Sequence, residues 1–310
     1  MPGAGCFELS LEKTEGSGEV KMDLKKVLAE KEVIIFDGGT GTELARRGVE
    51  ASGITNLTNP AAILKFHSDY VEMGVDALTT NTFTMNRISM ESKGLDADLR
   101  EANLAGVSLA RKAAAESRYV FGNIGPTGKL LKPYGTYSEE QFSDNFEEQA
   151  RILIEGGVDG FIIETMTDLR EAVCALKATR TVTALPIIVT LSFADTGKGG
   201  HTIMGSTVAE IAEALEKHGT DVLGANCGDL APAEMARIAA IYKEHTALPI
   251  LIQPNAGKPK LIDDKTVYDM SPEEFANGVL QCIDSGASLV GGCCGTTLEH
   301  LRAVVRRIRR

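Results

Sequence analysis

The chain has 310 residues, 43% hydrophobic and 24% charged, a balance that fits a soluble globular protein with a sizeable core. Asp and Glu total 43 against 32 for Lys and Arg, a net charge of −11, which argues against a nucleic-acid binder because no basic surplus exists to neutralise phosphates. No apolar run is long enough to span a membrane and the N-terminus lacks a basic stretch followed by an apolar one, so no membrane segment or signal peptide is predicted and a cytoplasmic location is expected.

Residues 1–22 (MPGAGCFELSLEKTEGSGEVKM) mix Gly, Ser, Glu and Lys with little periodicity and read as an N-terminal arm in which Cys6 is a plain thiol. From residue 23 to 310, eight short apolar or β-branched runs recur: Val33 to Phe36, Ala77 to Thr80, Val120 to Asn123, Phe161 to Glu164, Ile187 to Leu191, Val222 to Asn226, Ile250 to Gln253, and Leu289 to Gly292. Continuous apolar runs without alternation fit strands buried on both faces, as in a parallel sheet.

Helix-start signals punctuate the stretches between them. Asn59-Pro60 and Ser271-Pro272-Glu273-Glu274 place a capping residue before a first-turn proline, while Ser138-x-x-Gln141 and Thr296-x-x-Glu299 read as capping boxes. Eight βα units over about 260 residues predict an α/β fold, a single (β/α)8 TIM barrel with an N-terminal arm, with a doubly wound open sheet as the alternative. The terminal RRIRR suits the end of a helix, where cations complement the macrodipole.

In such a barrel, chemistry gathers where the strands end. The sixth run ends in Gly224-Ala225-Asn226-Cys227-Gly228 and the eighth in Gly291-Gly292-Cys293-Cys294-Gly295-Thr296, so Cys227, Cys293 and Cys294 share one barrel mouth. Three thiols and an open fourth position make a catalytic zinc site, one ion per chain; the competing reading is three buried small apolar side chains. Three thiolates on one divalent zinc leave a net charge of about −1, which keeps a further bound sulfur nucleophilic and favours alkyl transfer onto a thiol over water activation. Cys174 and Cys282 fall on apolar helix faces and read as core, and none of the five histidines forms an i, i+4 pair.

The other strand ends supply polar groups. The Gly-rich turn Asp37-Gly38-Gly39-Thr40-Gly41-Thr42-Glu43 lacks the G-x-G-x-x-G spacing of a dinucleotide site. Asp37 and Glu164 are candidates for the ammonium group of an amino-acid substrate, with glycine-turn N–H groups for its carboxylate; an ordinary salt bridge is the plainer role for Glu164. Asn226 and Asn255, at the sixth and seventh strand ends, complete the candidate substrate-binding set.

Taken in order, DGGTGTE, NTF, GPTG, ETMTD, GANC, PNAGKP and GGCCGTT resemble the homocysteine S-methyltransferase family from about Val33 to Arg310, and NTF, GPTG and PNAGKP look most like the homocysteine-binding domain of its cobalamin-dependent methionine synthase branch. The resemblance implies a barrel with zinc on Cys227, Cys293 and Cys294, no catalytic residue beyond that metal site, and an amino-acid pocket at Asp37, Gly38, Thr82 and Glu164. Homocysteine is the implied substrate, joining the zinc through its sulfur and attacking a methyl group in line. The 310 residues hold no cobalamin or folate module and no D-x-H-x-x-G signature, so methylcobalamin is expected on a separate corrinoid protein. Two alternatives are a stand-alone enzyme using S-methylmethionine or another small donor, and a non-catalytic thiol-binding protein. Betaine-using relatives carry an aromatic residue where this chain has Asn86, which removes support for a quaternary-ammonium cage.

Overall fold

A computed structural model describes residues 26–28, 33–195, 200–262 and 265–309. The arm expected at 1–22, its Cys6 and the boundary at 22/23 lie outside the described residues.

Each of the eight apolar runs forms a strand: Ile34–Ile35, Ala77–Thr79, Tyr119–Ile124, Gly160–Met166, Ile187–Leu191, Val222–Asn226, Ile250–Gln253 and Leu289–Val290. They are called the first to the eighth strand below. All pair in parallel with their sequence neighbours, the first joins the eighth through Ile34 and Leu289, and a parallel bridge from Phe36 to Ala77 closes the ring. The predicted (β/α)8 barrel is therefore the fold, and the open sheet is excluded.

Side-chain alternation divides each strand between two cores. Ile34, Phe36, Ala77, Phe121, Ile162, Ile188, Val222, Leu251 and Leu289 fill the barrel interior, with the Phe36 and Phe121 rings 5.0 Å apart. Their neighbours Ile35, Leu78, Val120, Phe161, Ile163, Val189, Leu223 and Ile252 face outward and join the helices in one large apolar cluster. Burial of a Val, Leu, Ile or Phe side chain stabilises by about 1.5–3 kcal/mol. Cys174 and Cys282 belong to the outer core as expected.

The helices begin where capping chemistry permits. Asn59 accepts from the Ala62 N–H, and both Ser138 with Gln141 and Ser271 with Glu274 form reciprocal capping boxes. The Thr296 box is a correction: the last helix is capped by Thr297, whose N–H meets His300 Nδ1 at 3.2 Å, because the Thr296 hydroxyl is engaged in the cysteine turn. Two antiparallel hairpins, Phe193–Asp195 with His201–Thr202 and Lys260–Ile262 with Lys265–Val267, rise from the loops after the fifth and seventh strands; they escape the apolar-run reading because they are short and lie outside the barrel. Among the described residues no helix is long and apolar enough to cross a membrane.

Candidate metal centre and substrate cavity

The alternation that fills the barrel floor with apolar groups continues upward into polar ones. Two residues beyond Ala77, Phe121, Ile162 and Leu251 stand Thr79, Asn123, Glu164 and Gln253, all lining one cavity of about 280 Å³. The first loop contributes Asp37 and Gly38, and the ends of the sixth and eighth strands contribute Cys227, Cys293 and Cys294.

The three cysteine sulfurs lie within 4.8 Å of one another, with Cys227 Sγ and Cys294 Sγ 3.7 Å apart. Their backbone is held in place at some cost. Cys227 takes φ 57°, a left-handed conformation that any residue with a Cβ adopts only rarely, and its N–H donates to the Gln253 carbonyl at 3.3 Å. Opposite it, the Cys293 N–H donates to Pro254 O at 2.8 Å, and the Thr296 hydroxyl donates to Cys293 O at 2.7 Å while accepting from the Gly39 N–H at 2.9 Å. A side chain at Gly39 would place its Cβ 2.3 Å from Cys293 O, so glycine is required for the first loop to lie against the cysteine turn.

Without a cation the trio shares out its charge unequally. Hydrogen bonds from the Cys227 and Cys293 thiols bring Cys294 down to about 3, and the Tyr268 hydroxyl adds to this. Cys293 is pushed well up because ionising it would break its own donation to Cys227 and Cys294. Cys227 accepts from Cys293, but its bond to Cys294 and its burial push it up to about 12. One negative charge on three converging sulfurs is the chemistry of a soft divalent-cation site, and the residues present fit zinc.

Two carboxylates face this centre. Asp37 accepts from the Thr79 N–H at 2.9 Å and from its hydroxyl, and burial raises it to about 8. Glu164 accepts from Asn123 Nδ2 at 2.6 Å and Asn226 Nδ2 at 2.9 Å, with burial raising it to about 7. The buried oxygens Asn123 Oδ1 and Gln253 Oε1 have no protein partner. Among the described residues the cavity lining holds no Lys, Arg or His. A cavity this rich in acceptors can take a donor-bearing cation such as an ammonium group.

The remaining candidates sit one layer back. Thr82 is fully buried and donates to Asn123 O at 2.8 Å. Asn255 donates to Gly228 O at 2.8 Å, supporting the turn after Cys227, and Asn226 is a buried hydrogen-bond hub. Asn86 caps the helix Arg87–Lys93 and lies outside the cavity. Thr79, Asn123 and Gln253 were not singled out from the sequence, although counting every second residue from each strand's interior position points to them.

The sequence profile of the homocysteine S-methyltransferase family matches residues 34–308. The chain belongs to the homocysteine S-methyltransferase family. Among its relatives, the methionine synthases of Mycobacterium leprae and Mycobacterium tuberculosis are each 32% identical, over 93% and 92% of this chain. This family member spans about a quarter of their length, 25% in each case. The metallated form of the Escherichia coli homocysteine methyltransferase MmuM shares its fold, with a TM-score of 0.76 at 23% identity over 92% of this chain and 100% of that one.

The two raised carboxyls give this homocysteine S-methyltransferase family member a pH-dependent stability. Both bind protons more tightly folded, at about 8 and 7, than unfolded, near 3.8 and 4.5. The stability they contribute is thus complete below about pH 4 and is lost as the pH rises through 7 and 8. Asp37→Asn, which cannot ionise, should pull ahead of wild type as the pH rises from 4, gaining several degrees in melting temperature between pH 4 and pH 8 in ligand-free protein. A difference between wild type and variant that is the same at both pH values would show that Asp37 titrates normally.

Proposed function

We propose that this chain methylates homocysteine to methionine, with zinc on Cys227, Cys293 and Cys294 and methylcobalamin on a separate corrinoid protein as donor. The observation that carries the reading is the convergence of three thiols, the buried Asp37 and the half-buried Glu164 on one cavity of amino-acid size. A zinc ion on the trio would supply the positive charge that ionises an incoming thiol near neutral pH while leaving its sulfur nucleophilic.

The chain's own residues bind and aim the substrate. Asp37 and Glu164 receive the ammonium group, whose charge offsets the desolvation that keeps both carboxyls protonated. Main-chain N–H groups of the turn from Gly38 take the α-carboxylate, consistent with a lining without cationic side chains. The thiol end is then directed at the three cysteines. Its proton is released, the sulfur forms a bond to the methyl carbon, and the electron pair of the broken bond stays on the donor. Reduced cysteines of this kind also favour a reducing compartment, the cytoplasm.

The donor assignment follows from the likeness of NTF, GPTG and PNAGKP to the cobalamin-dependent branch, and is supported by a lining that among the described residues has one aromatic ring, Phe83, with Tyr268 reaching Cys294 from beside it, where a quaternary-ammonium cage needs several. Incubating zinc-loaded protein and homocysteine with each donor in turn tests it. Methionine should form with methylcobalamin, and faster when a corrinoid protein carries it. Methionine from S-methylmethionine alone would replace the corrinoid partner with a small sulfonium donor, and tight homocysteine binding with no product from any donor would make this a thiol-binding protein.

A further inference from the structure

Asn226 ends the sixth strand one residue before Cys227, is fully buried, and lies outside the cavity lining. Its amide orientation is fixed by a group that can only donate: the Thr165 N–H reaches Oδ1 at 2.8 Å, and the Thr190 hydroxyl reaches the same oxygen at 2.7 Å. Nδ2 therefore faces the other way. It donates to Glu164 Oε2 at 2.9 Å and Thr165 Oγ1 at 2.7 Å, and stands 3.7 Å from Cys293 Sγ.

One planar amide thus touches both a carboxylate of the cavity and a sulfur of the trio. Its surroundings are stiff. A register shift in the fourth strand between Ile163 and Met166, with Thr165 at φ 61°, turns Glu164 toward the mouth, and Asn123 grips the other carboxylate oxygen. The carboxylate and the sulfur can lie no further apart than the two Asn226 contacts laid end to end.

We propose that Asn226 is a positioning residue that sets the distance between the ammonium-binding carboxylate and the sulfur centre, and so selects the length of the amino-thiol substrate. The proposal rests on the reading of the cavity as a homocysteine site. A substrate held at its ammonium by Glu164 and at its sulfur by the trio must bridge a fixed gap, and cysteine, one methylene shorter, meets only one end. One methylene is worth roughly 10–200-fold in such a pocket. Asn226 touches no substrate atom; it acts through Glu164 and Cys293.

Two variants test this. Asn226→Asp keeps an oxygen for the Thr165 N–H but turns an acceptor toward Glu164 and Cys293; Thr190→Val removes one of the two donors that hold the amide, at nearly unchanged volume. Calorimetry on zinc-loaded protein gives the affinities for homocysteine and cysteine, and the sulfur-to-metal charge-transfer band of cobalt-substituted protein, recorded without substrate, reports on the sulfur centre alone. Asn226→Asp should lose about 10–100-fold in homocysteine affinity, lower the homocysteine-to-cysteine preference by about tenfold or more, and shift the band; Thr190→Val should move all three the same way by less. An unchanged preference and an unchanged band in the folded variants would overturn the proposal, and Thr190→Val decides alone if Asn226→Asp does not fold. Wild-type protein that binds no homocysteine would sink the homocysteine reading instead, leaving the band to decide whether Asn226 holds the sulfur centre.

Discussion

Replacing Cys227, Cys293 or Cys294 with alanine is expected to abolish stoichiometric zinc and to lower methionine formation about a thousandfold or more, since several kcal/mol of charge stabilisation leave with the ion. The fold should survive. None of the three belongs to either barrel core, and each is only partly buried, so the lost packing is small. Thermal unfolding should stay cooperative in all three variants while bound metal falls toward zero. The variants should also differ from one another in the metal-free state. Cys294 carries the low pKa and receives the hydrogen bonds of the other two, so alkylation of metal-free wild type at neutral pH should strike Cys294 first, and in Cys294→Ala the reactive site should pass to Cys227, which still accepts from Cys293 and loses the bond that pushes it up. A triple-alanine protein that keeps one zinc per chain would place the ligands elsewhere.

Glu164→Gln is expected to weaken homocysteine binding by about 2 kcal/mol or more, on the order of thirtyfold, with zinc retained. The substitution removes the charge that answers the substrate's ammonium group. It also makes the local hydrogen bonding inconsistent, because Asn123 and Asn226 both present N–H groups to Glu164, and a glutamine amide can accept only one of them with its oxygen. The wild-type affinity should rise with pH through about 7, where the Glu164 carboxyl ionises, and Glu164→Gln should lose that step and keep only the later rise that Asp37 gives near 8. Titration calorimetry from pH 6 to 8 reads both effects. An affinity and pH profile equal to wild type would return Glu164 to the plain salt-bridge role considered from the sequence.

The barrel was legible because its strands are buried on both faces: eight apolar runs in one order left little room for another topology, and each run forms its strand. The convergence of Cys227, Cys293 and Cys294 was legible because vicinal cysteines between glycines at a strand end have few structural uses. What stayed hidden was the difference between lining the cavity and holding what lines it. Thr82, Asn226 and Asn255 sit in strand-end motifs as conspicuous as that of Glu164, yet they lie behind the cavity wall, supporting Asn123, Glu164 and the Cys227 turn. Asn123 and Gln253 were passed over as the last letters of apolar runs, where hydropathy marks an end and alternation marks an inward-facing side chain. Thr296 shows the converse error, since its spacing matches a capping box while its hydroxyl ties Gly39 to Cys293.

The central claim is that three cysteines form a zinc centre that takes a homocysteine sulfur. X-ray absorption at the zinc edge, on protein with and without homocysteine, addresses it most directly. The expected result is three sulfur neighbours near ~2.3 Å in the substrate-free protein, rising to four when homocysteine is added. A shell dominated by nitrogen or oxygen, or a sulfur count that homocysteine leaves unchanged, would contradict it.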